Sequence, residues 1–201
     1  MNKNIIIFIL AIALMFVSIY CFYLLSKNFD DSKENIETER KFLIALKDLP
    51  ADIETRGDVF RFVQTYINYS PEMRVRKVNE IYHYFTIKLP KDDIGLSREE
   101  IEKLITEEEY NELAQKQIGK VIHKTRYQFY EGSNLVAVDI YSHELTGLAV
   151  AEVEFENVEK SEKFNPPSWF GKEITSDMRY KNANLSRDGM PNVDSAELKL
   201  N

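Results

Sequence analysis

The stretch IETERKFLI, residues 36–44, alternates two kinds of side chain. In an extended strand, spacing by two turns Glu37, Glu39 and Lys41 to one face and Ile36, Phe42 and Ile44 to the other. A strand face with two neighbouring carboxylates followed by an ammonium group asks for a partner.

The same alternation returns along the chain. In MRVRKV (73–78), Arg74 and Arg76 share a face while Met73 and Val75 take the other. In YHYFTIKL (82–89), Lys88 lies with Tyr84 and Thr86, and in IHKTRYQF (122–129) Lys124 pairs with Arg126. LVAVDIY (135–141) places Asp139 in a strand otherwise apolar on both faces. LAVAEVEFE (148–156) sets Glu152, Glu154 and Glu156 against Ala151, Val153 and Phe155. Short strands with turn-like breaks predict a mainly antiparallel β-sheet.

Helical signals are fewer. TEEEYNELAQKQ (106–117) opens with a capping box, Thr106 with Glu109. Propensity extends this helix back through SREEIEKLI (97–105), where Ser97 and Glu100 form another box, and that stretch stays open at this level. A further helix is expected between Pro50 and Tyr69, and a frayed tail from Ser186 onward.

For any single strand, a solvated face explains the charges. Segregation by sign is harder to explain that way. Like charges about 7 Å apart on one face repel by roughly 2 kcal/mol at an effective dielectric of about 20. Acid pairs at 37/39 and 152/154 and basic pairs at 74/76 and 124/126 suit a closed sheet whose interior carries opposite patches. Carboxylate pairs favour a hard divalent cation, and paired arginines and lysines favour phosphates. The guest expected from such an interior is a metal-bound polyphosphate. The chain has no GxxxxGK phosphate loop, so it does not use that mode of binding.

Residues 5–25 carry no charge in a run of 21, and a helix of that length rises roughly 31 Å, enough to cross a hydrocarbon core of about 30 Å. No small-residue cleavage site follows before Lys27, and Tyr20 is too bulky for a lipoprotein acceptor site at Cys21, so an uncleaved single-pass anchor is expected over a signal peptide. The expected organisation is an anchor at 1–26, a polar linker at 27–35, a domain at 36–185 and a flexible tail at 186–201. Lys3 apart, 25 basic residues face 33 acidic ones, a net of −8 that excludes a general nucleic-acid binder. The lone cysteine, Cys21, lies within the apolar run and forms no intrachain disulfide.

The set of motifs resembles the CYTH domains, the triphosphate tunnel metalloenzymes. Glu37-Thr38-Glu39-Arg40-Lys41 resembles their E-x-E-x-K signature, and MRVR (73–76), TIK (86–88), HKTRY (123–127), AEVEF (151–155) and PPSWFGKEITSDMRYKNANL (166–185) follow in the family's order. The resemblance implies an α+β fold, mainly antiparallel β: an eight-stranded β-barrel forming a tunnel with helices packed outside, here preceded by one transmembrane helix. It also implies that 98–105 is a strand with Glu100 and Glu102 turned inward. By matching positions, Lys41, Arg74, Arg76, Lys88, Lys124 and Arg126 hold the triphosphate and serve catalysis. Glu37, Glu39, Glu152 and Glu154 bind Mg2+ or Mn2+, with Glu100, Glu102 and Asp139 as further acidic wall.

The implied activity is hydrolysis of inorganic tripolyphosphate. Thiamine triphosphate and ATP are other family substrates, and an adenylate cyclase or a membrane-tethered polyphosphate sensor are the alternatives. A homodimer and placement on the cytoplasmic face of the membrane are further expectations. Trp169 and Phe170 are expected to plug an end of the barrel or pack its outside. His83, His123 and His143 lack metal-ligand spacing and are read as structural.

Overall fold

A computed structural model describes residues 38–90 and 98–192. The alternating stretches form strands β1 (Thr38–Leu43), β2 (Asp58–Tyr69), β3 (Glu72–Val78), β4 (Tyr82–Pro90), β5 (Arg98–Ile105), β6 (Ile118–Glu131), β7 (Asn134–Tyr141) and β8 (Ala149–Phe155). They make one antiparallel sheet in the order β1-β8-β7-β6-β2-β3-β4-β5. Among the described residues three α-helices accompany it: α1 (Glu107–Ala114), α2 (Val158–Lys163) and α3 (Asn182–Asp188).

The expected helix between Pro50 and Tyr69 is not there. That stretch holds only a 3-10 turn at Ile53–Thr55, and β2 occupies the rest. Val59, Phe60, Phe62, Val63, Thr65, Tyr66 and Ile67 are β-branched or aromatic, and β2 sits between β6 and β3 with both edges paired. Residues 98–105, left open by propensity and implied to be a strand by the resemblance, form β5. As β5, this stretch aligns Glu100 with Lys88 and Glu102 with Thr86 of β4, pairings that a helix would forfeit. The capping box predicted at Thr106 forms as read: Glu109 N donates to Thr106 Oγ1 (3.2 Å) and Thr106 N to Glu109 Oε2 (2.8 Å).

The sheet is rolled. Leu43, Val150, Tyr141, Ile122 and Tyr66 come from five successive strands yet belong to one core cluster, and residues of β1 and β4 line the same cavity of about 290 Å³. It is not, however, the closed barrel expected from the motifs. β1 and β5 are its two ends, and the outer edge of β1 is taken by the segment 171–175. Gly171 N donates to Leu43 O (2.8 Å), Leu43 N to Lys172 O (2.9 Å), Ile174 N to Lys41 O (2.8 Å) and Lys41 N to Thr175 Oγ1 (3.1 Å). With those groups engaged, Lys41 and Leu43 have no backbone group left to offer β5.

Two apolar clusters hold the roll. On its outside, Phe42, Val138, Ala151, Val153 and Phe155 are covered by Phe164, Trp169 and Phe170, so the aromatic pair packs the exterior and does not plug an end. On its inside, charge gives way to apolar side chains toward one end: Glu39 and Lys41 lead to Leu43, Glu152 to Val150, Lys124 to Ile122. That floor is sealed by Ile174, Tyr180, Ala183 and Leu185.

The frayed tail expected from Ser186 does not begin there: Asn182–Asp188 is helical, and residues 193–201 lie outside the described residues. Ser186 is fully buried in α3; its hydroxyl donates to Lys120 O (2.7 Å) and lies 3.0 Å from the Tyr69 hydroxyl. The expected anchor and linker, and Glu37, lie outside the described residues. Among the described residues, no helix is long and apolar enough to cross a membrane.

Candidate active site

The strand registers bring the candidate side chains to the inner face of the roll. Glu39 stands opposite Glu154, Lys41 opposite Glu152, Arg126 opposite Asp139, Arg74 opposite Thr86, and Lys88 between Glu72 and Glu100. Within β6 and within β8 the inward charges are alike, as read from the sequence, whereas β1 carries both Glu39 and Lys41 and β3 carries Glu72 with Arg74 and Arg76. The cations of β6 meet the carboxylates of β7 and β8, and those of β3 and β4 meet the carboxylates of β5, so the expected two separate patches are interleaved.

Half of the site centres on Asp139, which is 0% exposed. Its carboxylate accepts Arg126 Nε (2.7 Å) on Oδ1, and Arg126 Nη2 (2.7 Å) and Lys124 Nζ (2.5 Å) on Oδ2. Glu152 continues the network, accepting Arg126 Nη2 (2.5 Å) and Lys41 Nζ (2.9 Å), and Lys41 also reaches Glu39 (3.1 Å). A guanidinium forked onto one carboxylate is the strongest and most directional of such contacts. The Phe62 ring lies under both Lys124 and Arg126, at 5.5 and 5.8 Å.

Burial works against charge here, and neighbours decide the balance. Burial lowers the Lys124 pKa to about 8, with Asp139 opposing it. Burial also disfavours the Arg126 cation, but Asp139 and Glu152 outweigh it and the pKa is raised. Glu152 is pushed up by burial and held well below the usual carboxylate range by Lys124, Arg126 and Lys41. Lys41 is raised because Glu152 and Glu39 outweigh its desolvation.

The other half lies on β3, β4 and β5. Arg74 reaches Glu100 at 3.4 Å and Glu72 at 3.9 Å, Arg76 pairs with Glu102, and Lys88 contacts Glu100 at 2.7 Å. These contacts leave the guanidinium groups incompletely satisfied. Nε of both Arg74 and Arg76 is buried and has no hydrogen-bond partner. Burial and the neighbouring Arg74 lower the Arg76 pKa.

Several lining residues escaped the sequence reading. Glu72 is buried, and Lys181 Nζ meets it at 2.8 Å from the segment that bridges the gap between β1 and β3. Glu72 was legible, since it precedes Arg74 and Arg76 by the same spacing of two. Lys181 had no periodic signal, because it lies just before α3 and outside any strand. Tyr66 lines the same cavity, and burial raises its pKa.

Among the described residues, no three or more acidic, imidazole or thiol side chains converge into a ready-made cation cage. Glu39 and exposed Glu154 face one another across β1 and β8, while Glu152 is shared between Lys41 and Arg126. The histidines stand apart from this set: His123 and His143 stack on each other at 4.0 Å, and buried His83 packs on Tyr110 at 5.0 Å.

A rolled antiparallel sheet with facing acidic and basic strands is the frame of a polyphosphate-handling domain. The model of the CYTH domain matches residues 35–188, and the chain belongs to that family. It is 36% identical over 154 residues to an inorganic triphosphatase of Nitrosomonas europaea, an alignment covering 75% of this chain and 96% of that protein. An inorganic triphosphatase of Acetivibrio thermocellus is 33% identical over 160 residues, covering 78% and 96%. A crystal structure of an inorganic triphosphatase superposes with a TM-score of 0.57 at 30% identity, covering 75% of this chain and 93% of that one.

Proposed function

We propose that the protein hydrolyses inorganic tripolyphosphate to pyrophosphate and phosphate. The observation that carries this reading is the pair Arg74 and Arg76, on one face of β3 with buried Nε donors lacking partners, of which Arg74 lines a cavity together with Lys41 and Lys88. Phosphate oxygens are acceptors of the charge and geometry those donors require. The relatives named above, inorganic triphosphatases that this chain nearly spans, support the same substrate.

The acidic oxygens of the site fit a hard divalent cation, Mg2+ or Mn2+. Magnesium is ordinarily held by one or two carboxylates together with substrate phosphates and water, so a full protein cage is not required. Glu39 and Glu154 would hold the cation, with Glu37 two positions before Glu39 and Glu152 two before Glu154; a bound cation would supply charge neutralisation on the phosphate oxygens. The chain's own part is positioning and electrostatics, which is most of what phosphoryl transfer asks of a protein. Arg74, Arg76 and Lys88 bind one side of the anion, and Lys41, Lys124 and Arg126 the other. Asp139 and Glu152 keep Lys124 and Arg126 aimed, and the apolar floor excludes water from that end.

The uncharged run 5–25 supports a single-pass tether to the membrane. The side is a separate proposal: only the pool of polyphosphate substrates there favours the cytoplasmic face, and protease accessibility tests it. Full-length protein in mild detergent is expected to release phosphate from tripolyphosphate with Mg2+ or Mn2+ and to stop in excess chelator. Arg74→Ala and Arg76→Ala should each lower kcat/KM by a hundredfold or more, about 2.7 kcal/mol of transition-state binding. Full turnover in chelator would refute the metal dependence, and unchanged kcat/KM in both variants would refute the site. Product analysis with ATP separates hydrolysis from cyclisation.

A further inference from the structure

The basic side chains of the site are all neutralised by carboxylates, but by two unlike kinds of contact. Asp139 is buried and grips Arg126 through two nitrogens, from a strand paired on both edges. Glu100 and Glu102 belong to β5, an end strand of the sheet that pairs only with β4 among the described residues. Their side chains are 39% and 34% exposed, and most of the strand around them is exposed too. Glu100 touches Arg74 at 3.4 Å and Lys88 at 2.7 Å; Glu102 takes Arg76 and the Thr86 hydroxyl (2.8 Å). Each engages its guanidinium through Nη2 alone and leaves the buried Nε unserved. These carboxylates therefore occupy the cations without satisfying them.

We propose that Glu100 and Glu102 are an internal stand-in for the substrate anion. They neutralise Arg74, Arg76 and Lys88 in the free protein and are displaced when a polyphosphate binds. Binding on this side is then an exchange of anions, and the cost of displacement sets how much charge a ligand must bring. A polyphosphate recovers that cost because its oxygens also reach the unserved Nε donors. Asp139 and Glu152 differ in kind, staying in place to orient Lys124 and Arg126. The inference rests on the phosphate-binding reading of the site given above.

It makes an unusual prediction: removing an acidic group from the site tightens anion binding without any metal. Partly exposed ion pairs are worth up to about 1 kcal/mol, so Glu100→Gln and Glu102→Gln should each tighten Kd by about three- to fivefold. The measurement is calorimetric titration of full-length protein in detergent and excess chelator, with tripolyphosphate and separately with pyrophosphate. Glu54→Gln, exposed on the outer turn before β2, controls for the general loss of one negative charge and should leave Kd unchanged. The amide keeps the size of the side chain and can still accept from Thr86, and thermal melting confirms each fold. If one variant fails to fold, the other decides. Wild-type binding with equal or weaker binding in the glutamine variants would overturn the stand-in role and leave the phosphate site standing. If neither wild type nor variants bind tripolyphosphate, the phosphate site itself fails.

Discussion

Lys124 shows how one residue's surroundings set its chemistry. Its side chain is 5% exposed, its ammonium is bonded to Asp139 and near the Phe62 ring, and burial brings its pKa to about 8 from the ordinary 10.5. Below pH 8 the group is protonated in both folded and unfolded chains, so its contribution does not vary. Between pH 8 and 10 the unfolded chain holds a proton the folded chain has lost, and stability therefore rises with pH. Above about pH 10 the raised pKa values of Tyr66 and Tyr141 act in the opposite sense, since the folded state keeps protons that the unfolded state loses. Urea unfolding across pH 7–11 should show this rise and fall, on the order of 2 kcal/mol. Lys124→Met should abolish the rising limb. A flat wild-type profile from pH 8 to 10 would mean that the ammonium is not penalised by burial. The sequence marked Lys124 and Arg126 as a pair; it held no hint that Asp139 would be their shared anchor rather than a separate wall.

At the scale of elements, the helix expected before Tyr69 gave way to β2, whose own residues favour a strand, while at β5 local propensity and long-range pairing disagreed. In β5, Glu99, Glu100, Glu102, Lys103 and Leu104 are good helix formers, and helix propensities differ by under about 1 kcal/mol per residue. Its ladder with β4 and cross-strand ion pairs to Arg74, Arg76 and Lys88, 12 to 26 positions away, outweigh that preference. The capping box at Thr106 was legible because its hydrogen bonds close over three residues. The floor depends on a tight approach of α3 to β6 at Gly119, whose φ is +64°. A Cβ there would lie 2.2 Å from the Tyr69 hydroxyl and 2.6 Å from Ser186 O. Gly119→Ala is expected to cost at least about 2 kcal/mol, combining left-handed strain with overpacking. Gly132, at φ +62° with nothing within 4 Å of a built Cβ, is the comparison: Gly132→Ala meets the strain alone. Equal shifts in urea midpoint would show that α3 yields at no cost.

At the scale of the whole molecule, the rolled sheet has a charged interior, an apolar floor and an open seam that residues 171–182 bridge at the floor end. The tether at its N-terminus is a separate proposition: full-length chain should sediment with membranes, and deletion of residues 1–26 should release it. Sedimentation of the full-length chain with the soluble fraction would refute the tether. The sequence by itself determined which side chains share a strand face, where α1 begins, and that acidic and basic groups would meet inside a sheet. Those features follow from the two-residue period of a strand and the short reach of a cap, and need no knowledge of neighbours. Only the tertiary structure decided that the sheet stays open, because the groups closing the edge of β1 come from residues about 130 positions later. It alone placed Lys181 against Glu72, 109 positions away, and divided the carboxylates into a buried set that anchors and an exposed set that can yield. Exposure and partner geometry separate those two sets, and neither quantity is written in the order of the residues.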